Sequence, residues 1–138
     1  MIIPMLKGLA FTLKRFFSKP ITIQYPEQKL PPGQRWRGVH YFEKDERGKT
    51  KCVACGLCMA VCPSQCIYIE TTEDEEGRRV PLCYELDSSR CVYCGFCEEA
   101  CPVGAIFMGK TYEWVEGVRN PLILTTEKLL EQKQHNPS

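Results

Sequence analysis

Eight cysteines carry the chemistry this sequence can do. Cys52, Cys55, Cys58 and Cys62 are spaced x2, x2, x3 and run directly into Pro63. The pattern returns as Cys91, Cys94, Cys97 and Cys101, followed by Pro102. Thiolates at this spacing form the bacterial-type run that holds [4Fe–4S] clusters, in which the fourth cysteine serves the other cluster. A cubane offers four irons, and each takes one thiolate. One tight C-x-x-C-x-x-C loop delivers three sulfurs, while the fourth cysteine points away toward the other half. The two runs predict two [4Fe–4S] clusters with exchanged ligands. Cys52, Cys55, Cys58 and Cys101 would hold the first, and Cys91, Cys94, Cys97 and Cys62 the second.

Two other uses of cysteine fit less well. The chain has ten cysteines in 138 residues, which in a secreted protein would suggest a disulfide framework. Closely repeated C-x-x-C triplets suit a metal better, and such thiolates fit a reducing compartment. Zinc also favours four-cysteine sites, but usually through two C-x-x-C knuckles across a longer gap. No nucleophile constellation and no nucleotide motif accompanies the cysteines. The reaction expected within the chain is one-electron transfer rather than bond chemistry.

The positioning elements follow from an internal repeat at an offset of 39 residues, which carries Cys52, Val53, Gly56, Pro63 and Ile67 onto Cys91, Val92, Gly95, Pro102 and Ile106. Gly56 and Gly95 allow close backbone approach. Pro63 and Pro102 fix the chain after each crossing ligand. The apolar stretches at residues 67–69 and 106–108 read as short strands beside the clusters. Residues 72–79 read as a polar loop around Gly77, with residues 80–86 returning as the other arm of a hairpin. Cys66 falls opposite Ala105 in the repeat, so that place needs no thiolate. Cys66 and Cys83 read as small buried hydrophobes. Residues 39–42 read as a short strand, in which His40 is either a structural histidine or a donor to, or titrating neighbour of, a cluster.

The flanks differ in character. Residues 1–50 hold ten Lys/Arg against four Asp/Glu, whereas residues 51–110 hold five against nine. Residues 2–19 read as a helix on which Ile2, Met5, Leu6, Leu9, Ala10, Leu13, Phe16 and Phe17 form one apolar arc, with Lys7 and Lys14 at its border. Such a helix suits either a membrane interface or a protein surface. Residues 21–25 alternate and read as extended. Arg35, Trp36 and Arg37 read as a contact for acidic lipid or a partner, or as a solvated loop. Thr126 can cap a helix running through Lys133. The C-terminal stretch reads as partner-wrapping, with a strap over its own domain as the alternative. No apolar run reaches the length of a membrane span, and no signal peptide is expected.

The predicted fold is α+β: a bacterial-type two-[4Fe–4S] ferredoxin-like domain over residues 43–110. A membrane- or partner-docking arm precedes it (residues 1–42), and an extension follows it (residues 111–138).

Over nearly its whole length the chain resembles the ferredoxin-like subunit I of NADH-quinone oxidoreductase, respiratory complex I. Beyond the cysteine runs, the resemblance lies in the basic amphipathic start, Thr22 to Pro26 (TIQYP), Arg35 to Gly38 (RWRG), Ile67 to Glu70 (IYIE), Tyr84 to Asp87 (YELD), Leu122 to Leu124 (LIL) and Glu127 to Leu130 (EKLL). All eight motif cysteines match the family's ligand pattern. The resemblance implies electrons arriving from a multi-cluster input subunit and leaving for the terminal-cluster subunit beside the quinone. It also implies residues 1–20 lying against a quinone-site membrane subunit at the cytoplasmic face of the inner membrane. No nucleic-acid partner is expected. Three alternatives stand beside this reading: a freely diffusing two-cluster ferredoxin, a ferredoxin-type subunit of a related membrane hydrogenase or ferredoxin-quinone oxidoreductase, and a zinc scaffold.

Overall fold

A computed structural model describes residues 2–135 of the chain, with side chains described through residue 133. The chain divides into two units, one ending at Pro31 and one beginning at Pro32. The first contains helix α1, Ile2–Phe16, which buries none of its residues. Pro4 sits in its first turn, where a missing N–H costs nothing. At its end the Ser18 hydroxyl donates to the Arg15 carbonyl at 2.7 Å, and Pro20 follows. Residues 21–25, expected to be extended, belong to no strand. Met1 and residues 136–138, which the arm and the extension were read to include, lie outside the described residues.

The second unit is built on the repeat. Strands β2 (Ile67–Glu73) and β3 (Arg79–Asp87) form the expected hairpin. Strands β1 (His40–Phe42) and β4 (Ile106–Met108) pair antiparallel as well. The register shows the symmetry. Ile67 faces Leu86 and Ile69 faces Tyr84; Ile106 faces Phe42 and Met108 faces His40. The offset that takes Ile67 and Ile69 to Ile106 and Met108 therefore makes β1 the counterpart of β3. Between strands lie two one-turn helices, α2 (Leu57–Ala60) and α3 (Phe96–Glu99). Each starts from a glycine in the left-handed region, Gly56 at φ 76° and Gly95 at φ 83°, where a Cβ would be strained. The sequence reading did not anticipate these helices, because four residues are too few to show a period.

The boundary expected at residue 42 moves back to Pro31. Residues 39–42 belong to the core because the second half needs β1 as its outer strand. Gly38 makes this possible: its N–H donates to the Gly109 carbonyl at 2.7 Å, and a Cβ there would lie 2.3 Å from the Thr111 carbonyl oxygen.

The C-terminal stretch also joins the core in part. A short 3₁₀ turn at Asn120–Leu122 leads into β5 (Ile123–Thr125), which adds to β3. Helix α4 (Thr126–His135) then packs on β1 and β5. Leu124 and Leu129 are fully buried, and Lys133 pairs with Glu43. Over residues 123–133 the chain packs on its own domain, as the strap reading has it. The cause is apolar: Leu124 and Leu129 reach the cluster of Phe42, Leu86 and Ile106 that the two halves share. Phe42 and Tyr84 meet edge-on there, ring centroids 4.8 Å apart, worth about 1 kcal/mol beyond area burial.

Candidate metal centre

Two cavities lie between the halves. The first is lined by Cys52, Cys55, Cys58 and Cys101, with walls that include Tyr84 and Ile106. The second is lined by Cys62, Cys91, Cys94 and Cys97, with His40, Cys66 and Leu86 in its wall. Each cavity thus gathers three cysteines of one run and the fourth of the other. The long link from Cys62 to Cys91 is spanned by the β2–β3 hairpin.

The loops aim backbone donors at these sulfurs. Ala54 N–H points at Cys52 Sγ at 3.4 Å, and its counterpart Tyr93 N–H at Cys91 Sγ at 3.3 Å. The price is backbone strain at matching places: Ala54 has φ 46° and Tyr93 φ 52°, a region ordinary side chains seldom occupy. Gln65 at φ 48° and Gly104 at φ 56° form another such pair just after the crossing cysteines. Ala105 N–H reaches Cys101 Sγ at 3.1 Å.

Side chains add to this. The Tyr84 hydroxyl lies 3.8 Å from Cys58 Sγ. His40 Nε2 lies 3.9 Å from Cys91 Sγ, while Nδ1 is buried without a partner among the described residues. Around Cys62 Sγ, the Ser64 hydroxyl and the Cys66 thiol both stand at 3.5 Å. Burial raises the thiol pKa of Cys52 to about 11 and of Cys97 to about 12, and raises Cys58 and Cys91 as well. Cys62 goes the other way. Burial would raise it, but hydrogen bonds from Cys66 N–H, Ser64 and the Cys66 thiol outweigh that and favour the thiolate. Since a metal ligand must be a thiolate, loading these sites releases protons.

The donor set fits an iron–sulfur cubane: in each cavity four thiols surround a space walled by apolar side chains, with backbone N–H groups aimed at the sulfurs.

The 4Fe-4S dicluster domain family matches residues 51–105. "NADH-quinone oxidoreductase subunit I 1" of Geobacter sulfurreducens is 46% identical over 133 residues, covering 96% of this chain and 100% of that protein. The chain belongs to the NADH-quinone oxidoreductase subunit I family. "NADH-quinone oxidoreductase subunit I 2" of Rhizobium meliloti is 48% identical over 124 residues, 89% of this chain, and the match spans 66% of that protein. Among solved structures, a chain of the membrane-bound sulfane sulfur reductase, an archaeal respiratory membrane complex, matches with TM-score 0.57 and 32% identity, over 79% of this chain and 54% of that one. Members of the subunit I family are parts of an oxidoreductase complex, so the expected electron-transfer role and α+β ferredoxin-like class stand. No described helix is long and apolar enough to cross a membrane.

Within this subunit I chain some functional neighbours were not visible in the sequence. Cys66, read as a plain buried residue, forms part of the second cavity wall beside Cys62. Ser64 was not singled out at all. Tyr84 appeared only within a matched motif. Arg37, read as a lipid or partner contact, lies along the second loop: it donates to the Cys94 carbonyl and pairs with Glu99 at 3.2 Å. A comparison of the two repeats position by position would have flagged Ser64 against Val103, but only the register reveals that His40 and Tyr84 correspond. Cys83 lines neither cavity.

Proposed function

We propose that this chain is the wire segment of a proton-translocating NADH-quinone oxidoreductase, holding two [4Fe–4S] clusters in fixed series. Cys52, Cys55, Cys58 and Cys101 hold one, and Cys91, Cys94, Cys97 and Cys62 the other. The observation that carries this reading is the pair of cavities, each bordered by three cysteines of one run and the fourth of the other. Bound there, the clusters supply one-electron steps with no bond made or broken. The chain's own work is to bind, orient and shield. The triplet loops fix three thiolates apiece, and the crossing cysteines tie the halves at a set separation. Ile67, Ile106, Leu86 and Phe42 keep water from the space between.

The proposed neighbours are a multi-cluster input subunit, a terminal-cluster subunit and the membrane subunit that helps form the quinone site. Residues 1–20 lie on the cytoplasmic face of the inner membrane. Support for that placement is α1 itself, whose apolar arc is wholly exposed and whose last turn carries Lys14 and Arg15. The likeness to a chain of an archaeal respiratory membrane complex, a sulfane sulfur reductase, favours one second reading, the same wire in a related complex with other redox partners.

The test is purification in mild detergent followed by EPR of the reduced sample and assay with NADH and quinone. The expected result is co-purification with membrane subunits, two interacting [4Fe–4S] signals and NADH-driven quinone reduction. Reduction by ferredoxin but not NADH would select the second reading. A stable soluble monomer exchanging electrons freely would overturn both.

A further inference from the structure

The internal symmetry allows the two sites to be compared within one molecule. Much of what surrounds them is repeated: the glycines, the strained loop residues, the backbone donors to Cys52 and Cys91, and the isoleucines at 67 and 106. Among the wall positions that differ, three bear a hydrogen-bonding side chain. Ser64 in the second cavity stands where the first has Val103, and Cys66 where the first has Ala105. His40 corresponds to Tyr84 through the register of the paired strands.

Each difference bears on a ligand sulfur. A thiolate can only accept hydrogen bonds. Once Cys62 is a ligand, the Ser64 hydroxyl and the Cys66 thiol, both 3.5 Å from its sulfur, become donors to it. The counterpart Cys101 has Val103 and Ala105 at those places, which have no side-chain donor. His40 Nε2 faces Cys91 Sγ at 3.9 Å. His40 is buried and its Nδ1 has no partner among the described residues, so the N–H of a neutral ring belongs on Nε2, where a sulfur accepts it. Tyr84 does the like for Cys58 at 3.8 Å. The second site thus has three side-chain donors on its ligand sulfurs against one at the first. Hydrogen bonds to sulfur stabilise the more negative, reduced state and so raise the reduction potential.

Charge pulls the opposite way, but weakly. Glu98 and Glu99 on α3 replace Met59 and Ala60 on α2. Glu99 is paired with Arg37, and both side chains are about half exposed or more (63% and 48%), so solvent and salt screen them. Glu98 accepts the Met108 N–H at 3.0 Å. The donors on Cys62 and Cys91 act at contact distance in a part-buried space.

We propose that Ser64, Cys66 and His40 make the second site the higher-potential member of the pair, so that an electron shared between the two resides mainly on the side of Cys91, Cys94, Cys97 and Cys62. The proposal rests on the crossed two-cluster reading. It gives the pair a direction, toward the second half.

The test exchanges the walls. Ser64→Val with Cys66→Ala gives the second site the side chains that the first already accommodates. Val103→Ser with Ala105→Cys does the reverse. Both are made in the assembled complex and followed by EPR-monitored redox titration, each signal being assigned by its loss in Cys62→Ser or Cys101→Ser. The first exchange is expected to lower the potential of the second signal, reducing its share of the electron about tenfold, which is 59 mV for a one-electron couple. The reverse exchange is expected to raise the first. His40→Leu should lower the second signal alone, with His40→Gln, which keeps a donor, restoring part of the shift. Two intact signals whose potentials stay put in both exchanges, or a wild-type order with the first site higher, would overturn the proposal while leaving the two-cluster reading in place. If the signal lost in Cys62→Ser is the one lost in Cys52→Ser and not the one lost in Cys91→Ser, the crossed reading itself fails, and the proposal with it.

Discussion

Leu129 is the place to test whether the C-terminal strap is held by its own domain. It has no exposed surface and sits on α4 where that helix crosses β1. Leu129→Ala removes three carbons from a closed core. For a fully buried leucine the transfer loss and the residual cavity together come to about 3–4 kcal/mol. Leu130, next along the helix, is only partly buried, so Leu130→Ala should cost about 1 kcal/mol. Because β5 and α4 are sequence-contiguous and dock together, the loss should appear as opening of the strap rather than of the whole domain. The readout is hydrogen exchange of the β5 amides at Ile123–Thr125, which pair with Glu85–Asp87. At 1.4 kcal/mol per factor of ten, Leu129→Ala should speed that exchange at least 100-fold, with Leu130→Ala nearer fivefold. The β2–β3 amides should change much less. Equal exchange in the two variants, or none above wild type, would mean that partner subunits and not this core hold the strap down.

Further outcomes follow from the same geometry. Cys62→Ser should damage the EPR signal that depends on Cys91, Cys94 and Cys97, and Cys101→Ser the one that depends on Cys52, Cys55 and Cys58; the reverse pairing would refute the crossed assignment. Gly38→Ala puts a Cβ 2.3 Å from the Thr111 oxygen and 2.8 Å from the Gly109 oxygen, so it must part the backbone there. Two hydrogen bonds weaken, at about 1 kcal/mol each, and a drop in melting temperature with greater lability of the second cluster is expected; an unchanged melt would count against it. Leu6→Asp with Leu13→Asp should release the complex's hold at α1, measured as the chain lost from membranes on washing while both cluster signals persist. Chelation of iron under oxidising conditions should abolish the β-sheet circular dichroism of the core, and sheet structure surviving full iron loss would show that the fold does not depend on its clusters.

Much of this molecule was legible because its repeat is written in residue types with few alternative uses. Cysteine spacing foretold the two cavities, and the polar run around Gly77 foretold the hairpin between them. What escaped was mostly non-local. Nothing in the sequence of Ala54 or Tyr93 announces a positive φ; the loop imposes it to aim an N–H at sulfur. Whether residues 39–42 belong to the arm or the core depends on a partner strand more than sixty residues away. The C-terminal segment was ambiguous for a similar reason. Leu122, Ile123 and Leu124 are equally suited to another subunit or to a strand edge on β3, and only the register decides.

The proposed crossed ligation and the strap address one physical problem in two ways. A two-stranded sheet is marginal in water, and each half of this core begins as one. Helix α4, only ten residues long, is marginal too unless its apolar side is covered. None of these parts is stable alone, and each becomes so only when the halves are already side by side. In the proposed ligation the exchange of Cys62 and Cys101 would align them. The strap then spans both halves, with Leu124 added beside Leu86 on β3 and Leu129 against the shared core next to β1. The order of dependence runs one way: without the crossed ligands the strap has no composite surface to dock on, whereas without the strap the crossed ligands still join the halves. That ordering is why a core leucine on α4 should be able to loosen the strap and leave both clusters in place.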